Sequence, residues 1–293
     1  MKINRREFLE RSLAVGAAAA LPIEAGCAET PKAIRRASDV VELGPAKIKA
    51  SRMAIGTGTY GAGHSSNQIR ALGVNGVADM LKAAYDKGIF LWDTADAYGT
   101  HEAIKVALKT VPREKVTIIT KTDAWTADKT KEDIDRFLKE LGTDYIDILL
   151  LHTRMSPTWD KDDKGSMDVM AEAKEKKILR SVGISCHSVE TLQVASKHPW
   201  LDICMVRLNP AGERMDDDPS VVLPIVKQAK ANGKGTVGIK VLGEGSLTDG
   251  QQHNDALRYA LAKDALCCFS IGCESLKEVE DNIARIDKLK VPA

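Results

Sequence analysis

The chain has 293 residues, and its 42 basic and 41 acidic side chains leave a formal net charge of +1. This balance gives no electrostatic reason to expect binding to nucleic acid or to an anionic membrane surface. With 44% hydrophobic residues the composition is that of a globular protein, and the length suits one large α/β barrel or two smaller domains.

Residues 1 to 28 have the pattern of a bacterial export signal. Asn4-Arg-Arg-Glu-Phe-Leu9 is a twin-arginine motif, and an alanine-rich apolar run and small residues follow it. The run is too short for a stable membrane span. We therefore expect export to the periplasm by the twin-arginine machinery, cleavage after Ala28 and no stable span in the mature chain. A cytosolic amphipathic extension is the alternative. A lipid anchor on Cys27 is disfavoured by Glu24, which lies where such a signal has an apolar residue.

The rest of the chain alternates between short apolar runs and helical patterns. Residues 29 to 39 are polar and are interpreted as a linker, and one domain is expected from 40 to 293. Two short runs around Gly44-Pro45, at 40–43 and 47–50, predict a small β-hairpin. Regular alternation then predicts a parallel sheet, and eight units predict a (β/α)8 TIM barrel, with an open doubly wound sheet as the alternative. The eight strands are expected at 53–55, 89–92, 116–120, 146–151, 179–184, 203–208, 236–241 and 266–271.

Four polar side chains of particular types follow consecutive predicted strands. Asp93 ends the second strand, Tyr98 lies one loop later, Lys121 ends the third strand and His152 ends the fourth. Functional groups in parallel barrels lie at the carboxyl ends of strands, so one site is expected. A free tyrosine titrates near about 10, and a neighbouring lysine lowers that pKa. A structural ion pair is the alternative for the lysine and aspartate.

Several other features leave more than one interpretation open. Gly56, Gly58 and Gly61 have the G-x-G-x-x-G spacing, but no helix begins directly at Gly61, so a ligand-facing loop and a simple turn are both possible. A long polar loop is expected from 153 to 165, and Trp125 is expected to line a substrate pocket or to cap the barrel. The six cysteines contain no C-x-x-C pair, so their spacing predicts neither a metal site nor a disulfide.

The strand-end residues resemble the aldo-keto reductase family over nearly all of the chain after about Val40. The resemblance rests on Trp92-Asp-Thr-Ala-x-x-Tyr-Gly99, and Gly56-Thr-Gly-Thr-Tyr60, Leu151-His152 and Gly183-Ile-Ser185 support it. It implies a carbonyl–alcohol oxidoreductase that uses NADP or NAD on a small carbonyl or sugar substrate. Tyr98 would be the general acid, Lys121 would lower its pKa, Asp93 would hold Lys121, and His152 would orient the carbonyl. The hairpin would close the bottom of the barrel.

The resemblance also implies a set of cofactor contacts, several of which depart from the family pattern. Cys186 and Met205 replace amide side chains, Ile239 replaces a stacking aromatic residue, and Glu278 replaces an arginine that binds a 2′-phosphate. A carboxylate repels that phosphate but accepts ribose hydroxyls, so NAD becomes as plausible as NADP. A non-redox enzyme and a ligand-binding barrel without chemistry are the alternative functions. The expected contacts are Thr59, Tyr60, Ser185, Cys186, Met205, Leu242, Gly272, Glu278 and Asn282.

Overall fold

The structure is a computed structural model that describes residues 32 to 292. The predicted export signal therefore lies outside the described residues. The twelve described strands are β1 Lys32–Ile34, β2 Val40–Leu43, β3 Ile48–Ser51, β4 Met53–Gly56, β5 Leu91–Asp93, β6 Thr117–Thr122, β7 Ile146–Arg154, β8 Leu179–Cys186, β9 Ile203–Arg207, β10 Gly235–Ile239, β11 Cys268–Gly272 and β12 Lys290–Pro292. The described α-helices are α1 Asn67–Asp86, α2 His101–Ala107, α3 Ala127–Leu141, α4 Trp159–Asp162, α5 Lys164–Glu175, α6 Val189–Ala195, α7 Pro219–Ala231, α8 Gly250–Ala262 and α9 Leu276–Lys288.

Eight parallel strands close into a barrel in the order β4 to β11, with β11 pairing β4. This confirms the predicted (β/α)8 fold. Successive side chains on a strand point to opposite faces, so each strand contributes to two cores. Inward residues such as Ala54, Leu91 and Ile119 fill the lumen. Outward residues such as Ile55 and Trp92 belong to the larger core between the barrel and its helices.

The predicted hairpin is present and closes the amino-terminal end of the barrel. β2 and β3 pair antiparallel, with Leu43 opposite Ile48. Both side chains are buried in the lumen cluster. The Thr117 hydroxyl on β6 donates a 2.6 Å hydrogen bond to the carbonyl of Lys49. With this end closed, access to the barrel interior is from the carboxyl ends of the strands.

Residues 32 to 39 differ from the linker that was expected. β1 pairs antiparallel with β12. Ala37 is fully buried, and its N–H donates a 2.8 Å hydrogen bond to Oδ1 of Asp287. The ordered unit therefore includes residues before 40. A three-residue strand is too short to show a periodic pattern, and its pairing partner is more than 250 residues away, which is why the polar composition was misleading.

The expected long loop from 153 to 165 is also wrong, because α4 and the start of α5 lie within it. Trp159 anchors this segment: it is fully buried and its ring centre lies 6.2 Å from that of Trp200. Arg154 and Asp163 form a buried ion pair with a 2.8 Å Nε–Oδ2 distance. The contacts that order this segment join residues that are distant in sequence or charged. The local sequence therefore shows no apolar periodicity, and it was interpreted as a loop. No helix between residues 32 and 292 is both long enough and apolar enough to cross a membrane.

Candidate active site

The structure brings Asp93, Tyr98, Lys121 and His152 together at the carboxyl ends of β5, β6 and β7. Lys121 Nζ donates to Asp93 Oδ1 at 2.6 Å and to the Thr94 carbonyl at 2.8 Å. The same nitrogen lies 4.8 Å from the centre of the Tyr98 ring. The Tyr98 hydroxyl is 3.4 Å from His152 Nε2. The four side chains therefore form one connected polar cluster, as the strand-end pattern predicted.

The lysine of this cluster is buried and charged. Burial alone lowers the pKa of Lys121, but Asp93 and Tyr98 together outweigh this effect, so the net pKa is raised. The second oxygen of Asp93 accepts a 2.7 Å hydrogen bond from the Ser270 hydroxyl. Because both carboxylate oxygens have donors, Asp93 is held in place as the counter-ion of Lys121.

The phenol of Tyr98 is affected by burial as well as by Lys121. Burial raises the pKa of Tyr98 above its ordinary value, and the neighbouring Lys121 only partly offsets this effect. Lys121 therefore lowers the pKa of Tyr98 as expected, but burial outweighs this contribution. The physical consequence is that Tyr98 is protonated at neutral pH, which suits a proton donor.

Asp123 is a polar neighbour of His152 that the sequence reasoning missed. Its Oδ1 lies 3.0 Å from His152 Nδ1, although without the alignment of a hydrogen bond. Burial lowers the pKa of His152, so this imidazole is neutral at neutral pH. Asp123 comes two residues after Lys121 and directly follows β6, at the end of the barrel where the site lies. That spacing was the available signal.

The glycine-rich loop after β4 packs against the Tyr98 ring. A Cβ atom at Gly58 would lie 2.5 Å from Tyr98 Cζ. A Cβ atom at Gly61 would lie 2.9 Å from Cε1 and 3.0 Å from Cγ of the same ring, and it would be nearer still to Cδ1. Gln68, at the start of α1, holds the loop: its Nε2 donates to Thr59 Oγ1 at 2.7 Å. The glycines therefore leave space for the tyrosine ring. Neither of the two interpretations of the motif, a ligand-facing loop or a simple turn, included this role.

A second missed feature is an ion-pair network that anchors the turn carrying Tyr98. Arg136 on α3 donates to both carboxylate oxygens of Asp96, at 2.7 and 2.8 Å. Glu140 accepts from Arg136 at 3.0 Å and lies 2.7 Å from His101 Nδ1. The His101 contact, more than any other, lowers the pKa of Glu140 to about 2. Asp96, His101 and Glu140 are of residue types that bind metal ions. Here the Arg136 guanidinium contacts both carboxylates and provides the positive charge that balances them.

A cavity of about 600 Å³ extends from the tyrosine–lysine cluster toward the amino-terminal end of α9. At one end Asp93, Tyr98 and Lys121 face it. Seven of the nine expected cofactor positions also face this cavity. They are Thr59, Tyr60, Met205, Leu242, Gly272, Glu278 and Asn282.

The other two expected cofactor positions, Ser185 and Cys186, have different environments. Ser185 pairs with Met205 across β8 and β9, and its Oγ is buried without a hydrogen-bond partner among the described residues. Cys186 was a wrong prediction: it is fully buried in the outer core, with its Sγ 3.8 Å from that of Cys204. The strand alternation explains this, because adjacent residues face opposite sides.

Trp125 does not line the cavity. Its side chain is 54% exposed, and its ring covers the Arg154 guanidinium at 3.8 Å. A guanidinium over an aromatic face is a favourable contact, and Arg154 is itself fixed by Asp163. The loop after β6 thus holds the tryptophan at the surface, and its role in a substrate pocket stays a prediction.

The far end of the cavity is acidic. Glu274, Glu278 and Asp281 line it, and Lys240 is paired with Glu244 at 2.5 Å. Glu278 Oε2 accepts a 2.9 Å hydrogen bond from the Glu274 N–H. The amino terminus of a helix is a natural site for a phosphate. At the amino terminus of α9 the Glu278 carboxylate occupies that position. The Ser185 hydroxyl, which has no partner within residues 32 to 292, fits a carboxamide. These residues therefore fit a nicotinamide dinucleotide, and they fit one without a 2′-phosphate better.

Comparison with known proteins agrees with this geometry. Residues 52–256 match the model of the "Aldo/keto reductase family". An NADH-specific methylglyoxal reductase of Escherichia coli is 27% identical over 210 residues, which are 64% of this chain and 63% of the relative. An NAD/NADP-dependent indole-3-acetaldehyde reductase of Schizosaccharomyces pombe is 34% identical over 121 residues, 40% of this chain and 42% of the relative. The chain thus covers less than two thirds of the length of either relative.

Solved structures show the same fold. A putative aldo-keto reductase of Pseudomonas aeruginosa superimposes with a TM-score of 0.71 at 24% identity, covering 87% of this chain and 98% of the other. The holo form of an aldo-keto reductase of Bacillus halodurans gives 0.70 at 21% identity, covering 86% and 91%. At these identities the likeness concerns the fold alone, whereas the family model matches well over half of the sequence. The chain belongs to the aldo/keto reductase family.

Proposed function

We propose that the protein is a nicotinamide-dependent oxidoreductase that interconverts a small carbonyl compound and its alcohol. The observation that carries the proposal is the position of the Tyr98 hydroxyl. It lies at the end of the cavity, 3.4 Å from His152 and beside the charged Lys121. A protonated phenol, a neutral imidazole and a buried cation are the groups that a carbonyl oxygen needs as it gains negative charge.

In this mechanism the side chains of the protein manage the proton and the charge. Tyr98 gives its proton to the carbonyl oxygen. Lys121 stabilises the phenolate that remains, since its ammonium lies over the ring. The neutral imidazole of His152 lies beside the same carbonyl oxygen and orients it. The 3.4 Å contact between Tyr98 and His152 must open to admit that oxygen.

A bound nicotinamide would supply or accept the hydride. Ser185 is the polar residue that we expect to hold its carboxamide, and Met205 and Ile239 offer apolar surface at the lumen. Asn282, on α9, lines the opposite end of the cavity. Both NAD and NADP occur in the names of the relatives above. The acidic far end of the cavity, with Glu278 on the first turn of α9, favours NADH over NADPH.

The proposed role of Tyr98 is tested by Tyr98→Phe. Removing the hydroxyl removes the proton donor, so kcat for aldehyde reduction should fall by about 10² to 10⁴ fold, the usual contribution of such a group. The affinity for NADH should stay within about threefold, because the ring that packs on the glycine loop is kept. Tyr60→Phe is the matched control, since Tyr60 also lines the cavity but is 57% exposed. An equal loss of turnover and cofactor affinity would make Tyr98 a structural residue.

We further propose that the protein acts outside the cytoplasm. The twin-arginine motif with Arg5 and Arg6 supports this, and it lies outside the described residues. Changing both arginines to lysine should keep the protein in the cytoplasmic fraction, while a change of Lys2 to arginine should not. Equal periplasmic amounts of the wild type and both variants would contradict export by this route.

A further inference from the structure

The strand β7 has a β-bulge at His152. It pairs with β8 in regular register as far as Leu151 and again at Arg154, and the register shifts between these two residues. His152 and Thr153 therefore lie opposite the single residue Ser185 of β8. Thr153 has a φ of +53°, a left-handed value that is rare for a β-branched residue. Bulges often direct a side chain beside an active site, and a strained residue persists only where neighbouring contacts hold it.

The buried guanidinium of Arg154 makes contacts that hold this bulge. Its Nη1 donates a 2.8 Å hydrogen bond to the carbonyl of His152, at the start of the bulge. Its Nη2 donates to the carbonyl of Ala124, the residue after Asp123. Nε and Nη2 donate to the two carboxylate oxygens of Asp163, each at 2.8 Å. One side chain therefore joins the bulge, the loop after β6 and the residue that precedes α5.

The direction of the His152 ring depends on two of these backbone segments. Its Nδ1 lies 3.0 Å from Oδ1 of Asp123, and its Nε2 lies 3.4 Å from the Tyr98 hydroxyl. The bulge at 152–153 sets where the ring begins, and the loop at 123–124 places the carboxylate beside it. Arg154 donates to a carbonyl in each segment, and the planar fork of arginine suits several acceptors at once. Loss of the guanidinium would release both segments, and a shift of the ring by about 1 Å would slow the reaction.

We infer that Arg154 is a positioning residue for the reduction of the carbonyl: through the bulge and the loop after β6, it fixes the direction of the His152 imidazole. This inference rests on the function proposed above, in which His152 orients the carbonyl oxygen. Arg154 is buried and does not line the cavity, so it acts through His152 and touches no reacting group.

Arg113 provides a matched control at the opposite end of the strands β6 and β7. Its guanidinium donates to Oδ2 of Asp147 at 2.8 Å and to the carbonyls of Val116 and Tyr145 at 2.9 and 3.0 Å. It also lies 4.0 Å from the centre of the Tyr145 ring. One carboxylate, two carbonyls and one aromatic ring are the same kinds of partner that Arg154 has. Loss of either guanidinium should therefore destabilise the protein, but only loss of Arg154 should affect His152.

The test compares two double variants of the protein labelled with ¹⁵N-histidine. Arg154→Met with Asp163→Asn removes the guanidinium and its counter-ion together, so no buried charge is left unpaired. Arg113→Met with Asp147→Asn is the control. The two ring ¹⁵N signals of His152, assigned by their loss in His152→Asn, report its tautomer, which depends on the contacts of the ring.

In the Arg154 double variant the separation between the two His152 signals should narrow, because the ring is no longer held in one direction. Its kcat for aldehyde reduction with NADH should fall by at least about tenfold, since misplacement of a reacting group by about 1 Å lowers a rate by about 100-fold. The control should have a lower melting temperature than the wild type, unchanged His152 signals and a kcat within about twofold of the wild type, because distant sites act independently.

Unchanged His152 signals in the Arg154 double variant, or equal narrowing in both double variants, would overturn the inference. Narrowed signals with an unchanged kcat would also overturn it. If the Arg154 double variant does not fold, Arg154→Lys replaces it, with Arg113→Lys as control: lysine keeps the charge beside Asp163 but lacks the fork that reaches both carbonyls, so the same changes should appear. The NMR measurement needs no turnover. If the wild type reduces no aldehyde, the proposed function fails and the His152 signals alone decide.

Discussion

Replacing Gly61 with alanine is expected to move Tyr98 without changing its chemistry. Gly61 lies in the loop after β4 and has no left-handed backbone angle, so alanine is compatible with its conformation. The added Cβ would lie 2.9 Å from Tyr98 Cε1 and 3.0 Å from Cγ. Carbon atoms prefer separations of about 3.5 to 4.0 Å, so the ring must retreat by roughly 1 Å. Lys121 and His152 lie close to the ring, and the retreat would change the distance of the hydroxyl from both.

A displacement of this size has a large kinetic effect. Misplacing a reacting group by about 1 Å lowers the rate by about 100-fold. We therefore expect kcat to fall by about two orders of magnitude, while the Kd for NADH changes by less than about threefold, because Gly61 does not line the cavity. The pH–rate profile should also change, since the pKa of Tyr98 depends on its distance from Lys121. Steady-state kinetics with 2-oxopropanal and a fluorescence titration with NADH measure these quantities.

Gly63→Ala is the matched control within the same loop. Gly63 has a φ of +58°, so alanine is strained there, but no atom of residues 32 to 292 lies within 4 Å of the added Cβ. This variant should be less stable by about 1 kcal/mol and keep its kcat within about twofold. If Gly61→Ala turns over as fast as Gly63→Ala, the glycine loop does not position Tyr98 and the reasoning fails.

Three further outcomes follow from the described contacts. Asp93→Asn leaves Lys121 buried without its counter-ion, so the free energy of unfolding in urea should fall by about 3 to 5 kcal/mol; a change below about 1 kcal/mol would contradict a charged Lys121. Glu278→Gln removes a carboxylate from the end of α9, so the Kd for NADPH should fall about tenfold relative to that for NADH, whereas exposed Glu280→Gln should change neither. The pKa of His187, which follows β8, is about 3 in the folded protein and about 6.5 in the unfolded chain. Between pH 3 and pH 6.5 the unfolded chain therefore binds more protons at this residue than the folded protein does. The free energy of unfolding should fall as pH drops from 6.5 to 3, and His187→Asn should make that dependence shallower; an identical slope in both proteins would contradict burial of a neutral His187.

Much of the fold was predictable because its determinants are local and repeated. Apolar runs that end in polar turns, alternating with helical patterns, indicated a barrel. The strand ends then placed Asp93, Lys121 and His152 at one edge, and the structure has them there. The segments that were misread have distant partners: β1 pairs with β12, and α4 is held by Trp159 in the outer core.

The candidate site was predicted less completely, because roles depend on side-chain direction and distance. Cys186 was assigned from a family position, although the strand alternation already placed it opposite to Ser185. The glycine motif was visible, but its purpose depends on a contact with Tyr98 that spacing alone does not contain. Arg154 stood in the sequence as an ordinary charged residue, and only its contacts with the carbonyls of His152 and Ala124 point to a positioning role.

The central claim is that this cavity holds a nicotinamide dinucleotide beside Tyr98. The most direct test is a titration of the chain from Glu29 with NADH and with NADPH, following the quenching of tryptophan fluorescence. We predict micromolar affinity for NADH and weaker affinity for NADPH, in line with the acidic far end of the cavity. Absence of binding by either at millimolar concentration would contradict the claim, and Tyr98, Lys121 and His152 would then serve a reaction without hydride transfer.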